Sequence, residues 1–327
     1  MKGYKQGNTY PKLEFPPDAK IMTVLGPIPL DSLGRTLPHE HILVDFIGAK
    51  QVHPGRYNQD SVIGRVKPFL IQLKEMGFDA LFECTPSYLG KDVELLRSLS
   101  RETDLNIISN TGYYGTRKGF FLPDHAFEES AEQLAQRWIE EFNNGIGKTE
   151  IKPGFIKISV NPITFTDVDR KLVQAAALTH HETGLTIGSH TTSGPSVLQI
   201  IDILEEMDVP LSSFIWIHAQ TVADTSYHEE VVKRGAWIEF DHESDKKESL
   251  NSHLSWIMKM KSWGRLNQVL ISHDAGWYHV GEPNGGEFRP FTSIHQKFIP
   301  LLKANGFTDQ TIDTLLIYNP AIAFAYN

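Results

Sequence analysis

Eight short β-rich runs alternate with amphipathic helical stretches along this chain, and few folds accommodate that order. The runs are Thr36 to Val44, Ala80 to Thr85, Asn106 to Thr111, Gly154 to Val160, Leu185 to Ser189, Phe214 to His218, Ala236 to Asp241 and Gln268 to Ser272. Helical patterning covers Ser61 to Met76, Lys91 to Arg101, Ser130 to Asn143, Asp167 to Thr183, Pro195 to Met207, Ser226 to Lys233 and Leu250 to Trp263. Ser, Thr and Asp at several helix starts, and Gly184, Gly235 and Gly264 just past three ends, are capping signals. The pattern predicts an α/β fold, a (β/α)8 TIM barrel with its active site at the C-terminal ends of the strands. At 327 residues the chain suits one such barrel, and no linker rich in Pro, Gly or Ser divides it. The expected organisation is an N-terminal extension over residues 1–20 and one barrel domain over 21–327.

Composition narrows the partners. A formal net charge of −9 offers no basic field for phosphate backbones, so nucleic acid is not expected to bind. The single cysteine, Cys84, excludes an intrachain disulfide and any thiolate-rich cluster, and is read as a small buried hydrophobe. Residues 1–20 contain no apolar signal core and no long apolar run follows, so neither a leader nor a membrane span is expected. The expected setting is cytoplasmic, with export as the alternative if a leader has been removed. The expected partners are a small-molecule substrate and, at most, a second copy of the chain in a homodimer.

Within this frame Leu37-Pro38-His39-Glu40-His41-Ile42 stands out. Side chains at i and i+2 of an extended segment project to one side, so both imidazoles can face one point. Further candidates recur at strand ends: Lys157 in the fourth strand, His190 after the fifth, His218 ending the sixth and Asp274 after the eighth. These lie 33, 28 and 56 residues apart, in step with one, one and two strand–helix units. Taken singly, each has an ordinary explanation. Lys157 could snorkel out of the barrel or pair with a buried carboxylate, the histidines could be hydrogen-bonded structural residues, and Asp274 could cap a turn. Taken together they converge on one face of a barrel.

In that order and on those strands, the residues resemble the binuclear metal site of the phosphotriesterase-like branch of the amidohydrolase superfamily. Thr23-Val24-Leu25-Gly26, Leu33-Gly34-Arg35-Thr36-Leu37, Thr111-Gly112-Tyr113-Tyr114 and Asn319-Pro320 carry the same resemblance, over about residues 21 to 323. It implies that His39, His41 and Asp274 bind one divalent ion and that His190 and His218 bind a second. It also implies that Lys157, carboxylated by carbon dioxide, bridges both along with a hydroxide. Zinc suits imidazole and carboxylate ligands, and manganese, cobalt or iron fit the same set. The implied reaction is attack of the bridging hydroxide on an ester, lactone or related carbonyl or phosphoryl centre, with Asp274 accepting the proton. Amide hydrolysis and phosphotriester hydrolysis on the same site are the alternatives, and a metal-containing binding protein without turnover ranks below them.

Departures from the family pattern bear on the substrate. Ile217-His218-Ala219-Gln220 replaces the usual surroundings of the sixth-strand ligand, so the groups behind it must differ. His242 stands where lactone-hydrolysing members tend to carry arginine, and is placed either to extend a proton relay from Asp274 or on the surface. Tyr114 occupies the position of a tyrosine in lactonases and a tryptophan in organophosphate hydrolases, near the metals. The stretch Trp277 to Phe291, with Gly281, Gly285 and Gly286, reads as a flexible loop able to cover substrate.

Overall fold

The computed structural model describes residues 15–326, so residues 1–14 of the expected extension lie outside the described residues. Lys20 already begins a hairpin of two antiparallel strands, β1 (Lys20–Thr23) and β2 (Gly26–Pro29). Eight parallel staves follow, matching the eight expected strands in order. They are β3 (Thr36–Val44), β4 (Ala80–Glu83), β5 (Asn106–Ile108) continued by β6 (Asn110–Thr111), β7 (Phe155–Ser159), β8 (Ile187–His190), β9 (Phe214–Ile217), β10 (Trp237–Phe240) and β11 (Val269–Ile271). The third stave is interrupted at Ser109, which divides the hydrogen-bonded ladder into a four-stranded and a six-stranded part. Two backbone bonds join the first and last staves: Asp274 N to His39 O at 3.1 Å and His41 N to Ala275 O at 2.9 Å.

One strand was not expected. β12 (Gly276–His279) follows β11 directly and pairs with the upper half of β3, Gly276 opposite His41. The stretch read as a flexible cover therefore begins as sheet, and Gly276 and Arg289 exchange backbone hydrogen bonds at 3.1 and 2.8 Å. This is a correction, and its cause is tertiary: the neighbouring β3 supplies the ladder partners for that backbone.

Helices α1 (Gln59–Glu75), α2 (Val93–Thr103), α3 (His125–Glu128), α4 (Ala131–Asn144), α5 (Asp167–Thr183), α6 (Gly194–Glu206), α7 (Thr225–Lys233) and α8 (Lys247–Ser262) alternate with the staves. Capping sets their starts: Asn58 accepts from Ser61 N at 2.8 Å, and Ser130/Gln133 and Thr166/Asp169 form capping boxes. In α1, Val62, Val66, Leu70 and Leu73 make the buried stripe at helical spacing. The helical C-terminal region, Ile294–Ala304 and Asp309–Ala323, escaped the sequence reading. Each part contains a π-helical turn directly before an X-Pro pair, Ile299-Pro300 and Asn319-Pro320. The wider turn accommodates a proline that cannot donate its missing N–H, and it breaks the usual period.

Inward-facing residues fill the barrel in layers. On β7, Phe155 and Lys157 face in while Ile156 and Ile158 pack against the helices; on β10, Trp237 and Glu239 face in. The lower layers are aromatic and aliphatic: Phe82, Phe155, Ile215, Trp237 and Leu270, closed by Phe324, whose ring stacks 3.9 Å from Phe82. The upper layer is ionisable, and there the candidates collect. Among the described residues no helix is long and apolar enough to cross a membrane.

Candidate metal centre

A cavity of about 210 Å³ opens at the C-terminal ends of the staves, and His39, His41, Tyr114, Lys157, His190, His218, His242 and Asp274 all line it. Every candidate named from the sequence is thus brought to one place. Cys84, buried as expected, lies in its floor.

Three of the four candidate ligand histidines are held by their Nδ1 atoms, leaving Nε2 for the cavity. His39 Nδ1 lies 2.6 Å from Glu239 Oε1, and His218 Nδ1 lies 2.6 Å from Asp241 Oδ1. For His41 the tautomer follows from a chain of donors. Thr85 Oγ1 donates to Glu83 Oε1 at 2.5 Å, so it must accept from His41 Nδ1, 2.7 Å away, and Nε2 is left bare. Such tethers orient an imidazole and raise its basicity as a metal ligand. Burial, reinforced by Lys157, lowers the pKa of His39 well below its ordinary value; burial and then His218 do the same for His190. Both rings are neutral at neutral pH, the form that binds metal.

Asp274 Oδ1 is buried with no hydrogen-bond donor, 3.1 Å from His41 Nε2 and 3.7 Å from His39 Nε2. The ligand atoms of the three residues fit within 4.8 Å of one another. A buried carboxylate oxygen without a donor, close to two imidazole nitrogens, is a group that could hold a cation. Despite burial, Asp274 is held well below the usual carboxylate range, chiefly by the hydrogen bond from His242. The amino group of Lys157, 2% exposed, has no carboxylate within 4 Å among the described residues, which removes the salt-bridge explanation left open above.

Backbone strain aims these side chains. His218, His242 and Asp274 are non-glycine residues at φ of 67°, 62° and 48°, just past the ends of their staves. Left-handed backbone of this kind costs about 1 kcal/mol or more per residue and clusters at functional sites. Two glycines give the ligands room. A Cβ at Gly276 would sit 1.8 Å from His41 O, and one at Gly112 would sit 2.3 Å from Lys157 O.

His242 meets both positions given for it: Nδ1 lies 3.0 Å from Asp274 Oδ2 and 3.1 Å from Asp241 Oδ1, while the ring is exposed to solvent. Hydrogen bonds to Asp241 and then Asp274 push its pKa up to about 10, so it is an imidazolium at neutral pH. Tyr114 Oη lies 3.3 Å from His190 Nε2, and burial raises its pKa, keeping the phenol protonated. His190 has no tether like the others.

The carboxylates behind the ligands were missed. Glu40 turns away from His39 and His41 and accepts from Ser272 Oγ, His273 N, His273 Nδ1 and Ala275 N at 2.8 to 3.1 Å, clasping the last stave to the first. Glu239 is pushed well up by burial and then by Asp241. Burial would also raise Asp241, but His218 draws it well below the usual range. A lone acid inside an apolar strand, as in Trp237-Ile238-Glu239-Phe240, was the available signal.

The model of the phosphotriesterase family matches residues 19–324. A phosphotriesterase homology protein of Escherichia coli is 29% identical, over 90% of this chain and 99% of its own. An N-acetyltaurine hydrolase of Mus musculus is 27% identical, over 92% and 96%. A substituted organophosphorus hydrolase of Deinococcus radiodurans superposes with a TM-score of 0.84 at 25% identity, over 93% of this chain and 97% of that one.

Proposed function

The chain belongs to the phosphotriesterase family, and from that premise we propose that it is a metal-dependent hydrolase of small carboxyl esters or lactones. The observation that carries the reading is the approach of the His39 and His41 imidazoles to the donorless Oδ1 of Asp274, beside the unpaired amine of Lys157. His39, His41 and Asp274 would hold one divalent ion and His190 and His218 the other, with a carboxylated Lys157 between them. Zinc fits this nitrogen and oxygen set, as do manganese, cobalt and iron. Two such ions would supply Lewis-acid polarisation of the scissile group and a water acidified to a pKa of about 7.

The protein's own groups have separable tasks. Asp274 accepts the proton released as water attacks, at a carboxylate kept ionised by His242. His242, already an imidazolium, orients that carboxylate while its far edge meets solvent. Tyr114, protonated and at the cavity wall, donates to the oxygen of the group under attack. Glu239, Thr85 and Asp241 hold His39, His41 and His218 in their ligand tautomers.

Amide hydrolysis is the second reading, supported by the relative that acts as an N-acetyltaurine hydrolase. Phosphotriesters rank lower because a cavity of about 210 Å³ bordered by a tyrosine suits a small planar acyl group better than a bulky tetrahedral one. Kinetics on one zinc- or manganese-loaded sample, across lactones, aryl esters, N-acyl amino acids and neutral phosphotriesters, test the assignment. Carboxyl substrates should show the higher kcat/KM, and Tyr114→Phe should lower it. A phosphotriester preference of tenfold, about 1.4 kcal/mol of transition-state binding, would reverse the assignment.

A further inference from the structure

The metal cavity, about 210 Å³, opens at the strand ends, so a larger substrate runs out past its rim. Arg117 stands at that rim. Its Cζ lies 6.0 Å from the Phe46 ring and 5.9 Å from the Phe121 ring. Phe46 stacks on Trp277 and Trp277 covers His41, at 5.8 and 4.3 Å; Phe121 meets Tyr114 and Tyr114 meets His190, at 5.9 and 5.1 Å. The guanidinium therefore sits where the two aromatic walls of the cavity meet. Beyond it lies a second, mainly apolar groove of about 660 Å³, which begins at Gly115, next to Tyr114 in the chain, and runs to Val168 past Phe127 and Ile163.

The charge of this groove is one-sided. Arg117 and Lys118 line it, no acidic residue does, and among the described residues neither cation has a carboxylate within 4 Å. In a chain of net charge −9 that is an exception needing a reason. The backbone adds a second observation. Arg117, Lys118 and Gly119 have successive φ values of 55°, 55° and 75°, a left-handed turn held by Lys118 N on Asn161 Oδ1 and Gly119 N on Gly115 O. Two non-glycine residues in that conformation cost on the order of 1–2 kcal/mol each, and the strain places the guanidinium over the two rings.

We propose that Arg117 determines specificity by binding, at the rim, a carboxylate or sulfonate of a substrate whose scissile group enters the metal cavity. A guanidinium seated against aromatic faces keeps its edge N–H groups free for the two oxygens of such an anion. The identity of the scissile group rests on the hydrolase reading; the anion site does not.

The test uses the metal-loaded full chain and two readouts. Calorimetry compares 4-hydroxybenzenesulfonate and 4-hydroxybenzoate with neutral 4-hydroxybenzamide, and kinetics compare the three corresponding acetate esters. Wild type should bind at least one anion about tenfold more tightly than the amide. Arg117→Gln should bring that ratio within about twofold, and Arg117→Lys should restore part of it. The kcat/KM ratio of anionic to neutral ester should move in parallel, with the neutral ester little changed. Equal binding of anion and amide by wild type, or a preference untouched in Arg117→Gln, overturns the proposal whether or not the esters turn over. An Arg117-dependent preference without any hydrolysis supports the anion site and refutes the hydrolase reading alone.

Discussion

Oδ1 of Asp274 lies 3.1 Å from Nε2 of His41, and neither atom carries a proton to place between them. Nε2 is bare because Nδ1 already donates to Thr85, and Asp274 is held ionised. Two facing lone pairs in a buried site repel unless a cation joins them, which is the arrangement the proposed metal ion would relieve.

Lys157 tests the bridge. Metal analysis of the purified protein should give two divalent ions per chain, and Lys157→Ala should lower that number, because the carboxylated lysine is the anion proposed between the two ligand groups. Two ions retained in the variant would make the lysine structural.

Asp274 separates binding from proton transfer. Asp274→Asn keeps an oxygen for a cation but cannot take a proton at ordinary pH. Metal content should be largely retained while kcat falls by about 10²-fold or more. Unchanged turnover on a good substrate would place the proton acceptor elsewhere.

Asp241 acts through His218, whose Nδ1 it holds at 2.6 Å. Asp241→Asn should weaken metal affinity by about 10- to 100-fold, measured by competition with a chelator, through loss of ring orientation and basicity. An unchanged metal Kd would show that Gln220 or His242 suffices to hold the ring.

Glu243 provides a pH signature away from the proposed ligands. Burial raises its pKa to about 7, and it accepts from Ser293 Oγ at 2.9 Å. In the unfolded chain the same carboxyl ionises near its ordinary 4.5. Its stabilising contribution is full below pH 4.5 and declines as pH rises towards 7, by about 3 kcal/mol at most. Glu243→Gln removes the titration. The variant should therefore gain in urea midpoint relative to wild type between pH 4.5 and 7.5, and parallel pH curves would refute the assignment.

The alternation of apolar strands with capped amphipathic helices, and the spacing of Lys157, His190, His218 and Asp274, made the barrel and the residues that line its cavity legible from sequence. Both are local or periodic properties: a strand end recurs once per unit, and a ligand at each end must face the same mouth. Long-range pairing decided the rest. β12 exists because β3 offers it partners, and the π turns at Pro300 and Pro320 are allowed by packing that no period reveals. Which nitrogen of His39, His41 or His218 faces the cavity depends on Glu239, Thr85 and Asp241, which come from other staves. Likewise Arg117 reads in sequence as one more surface charge. The role proposed for it arises only because the fold sets it between Phe46 and Phe121, without an acidic partner among the described residues.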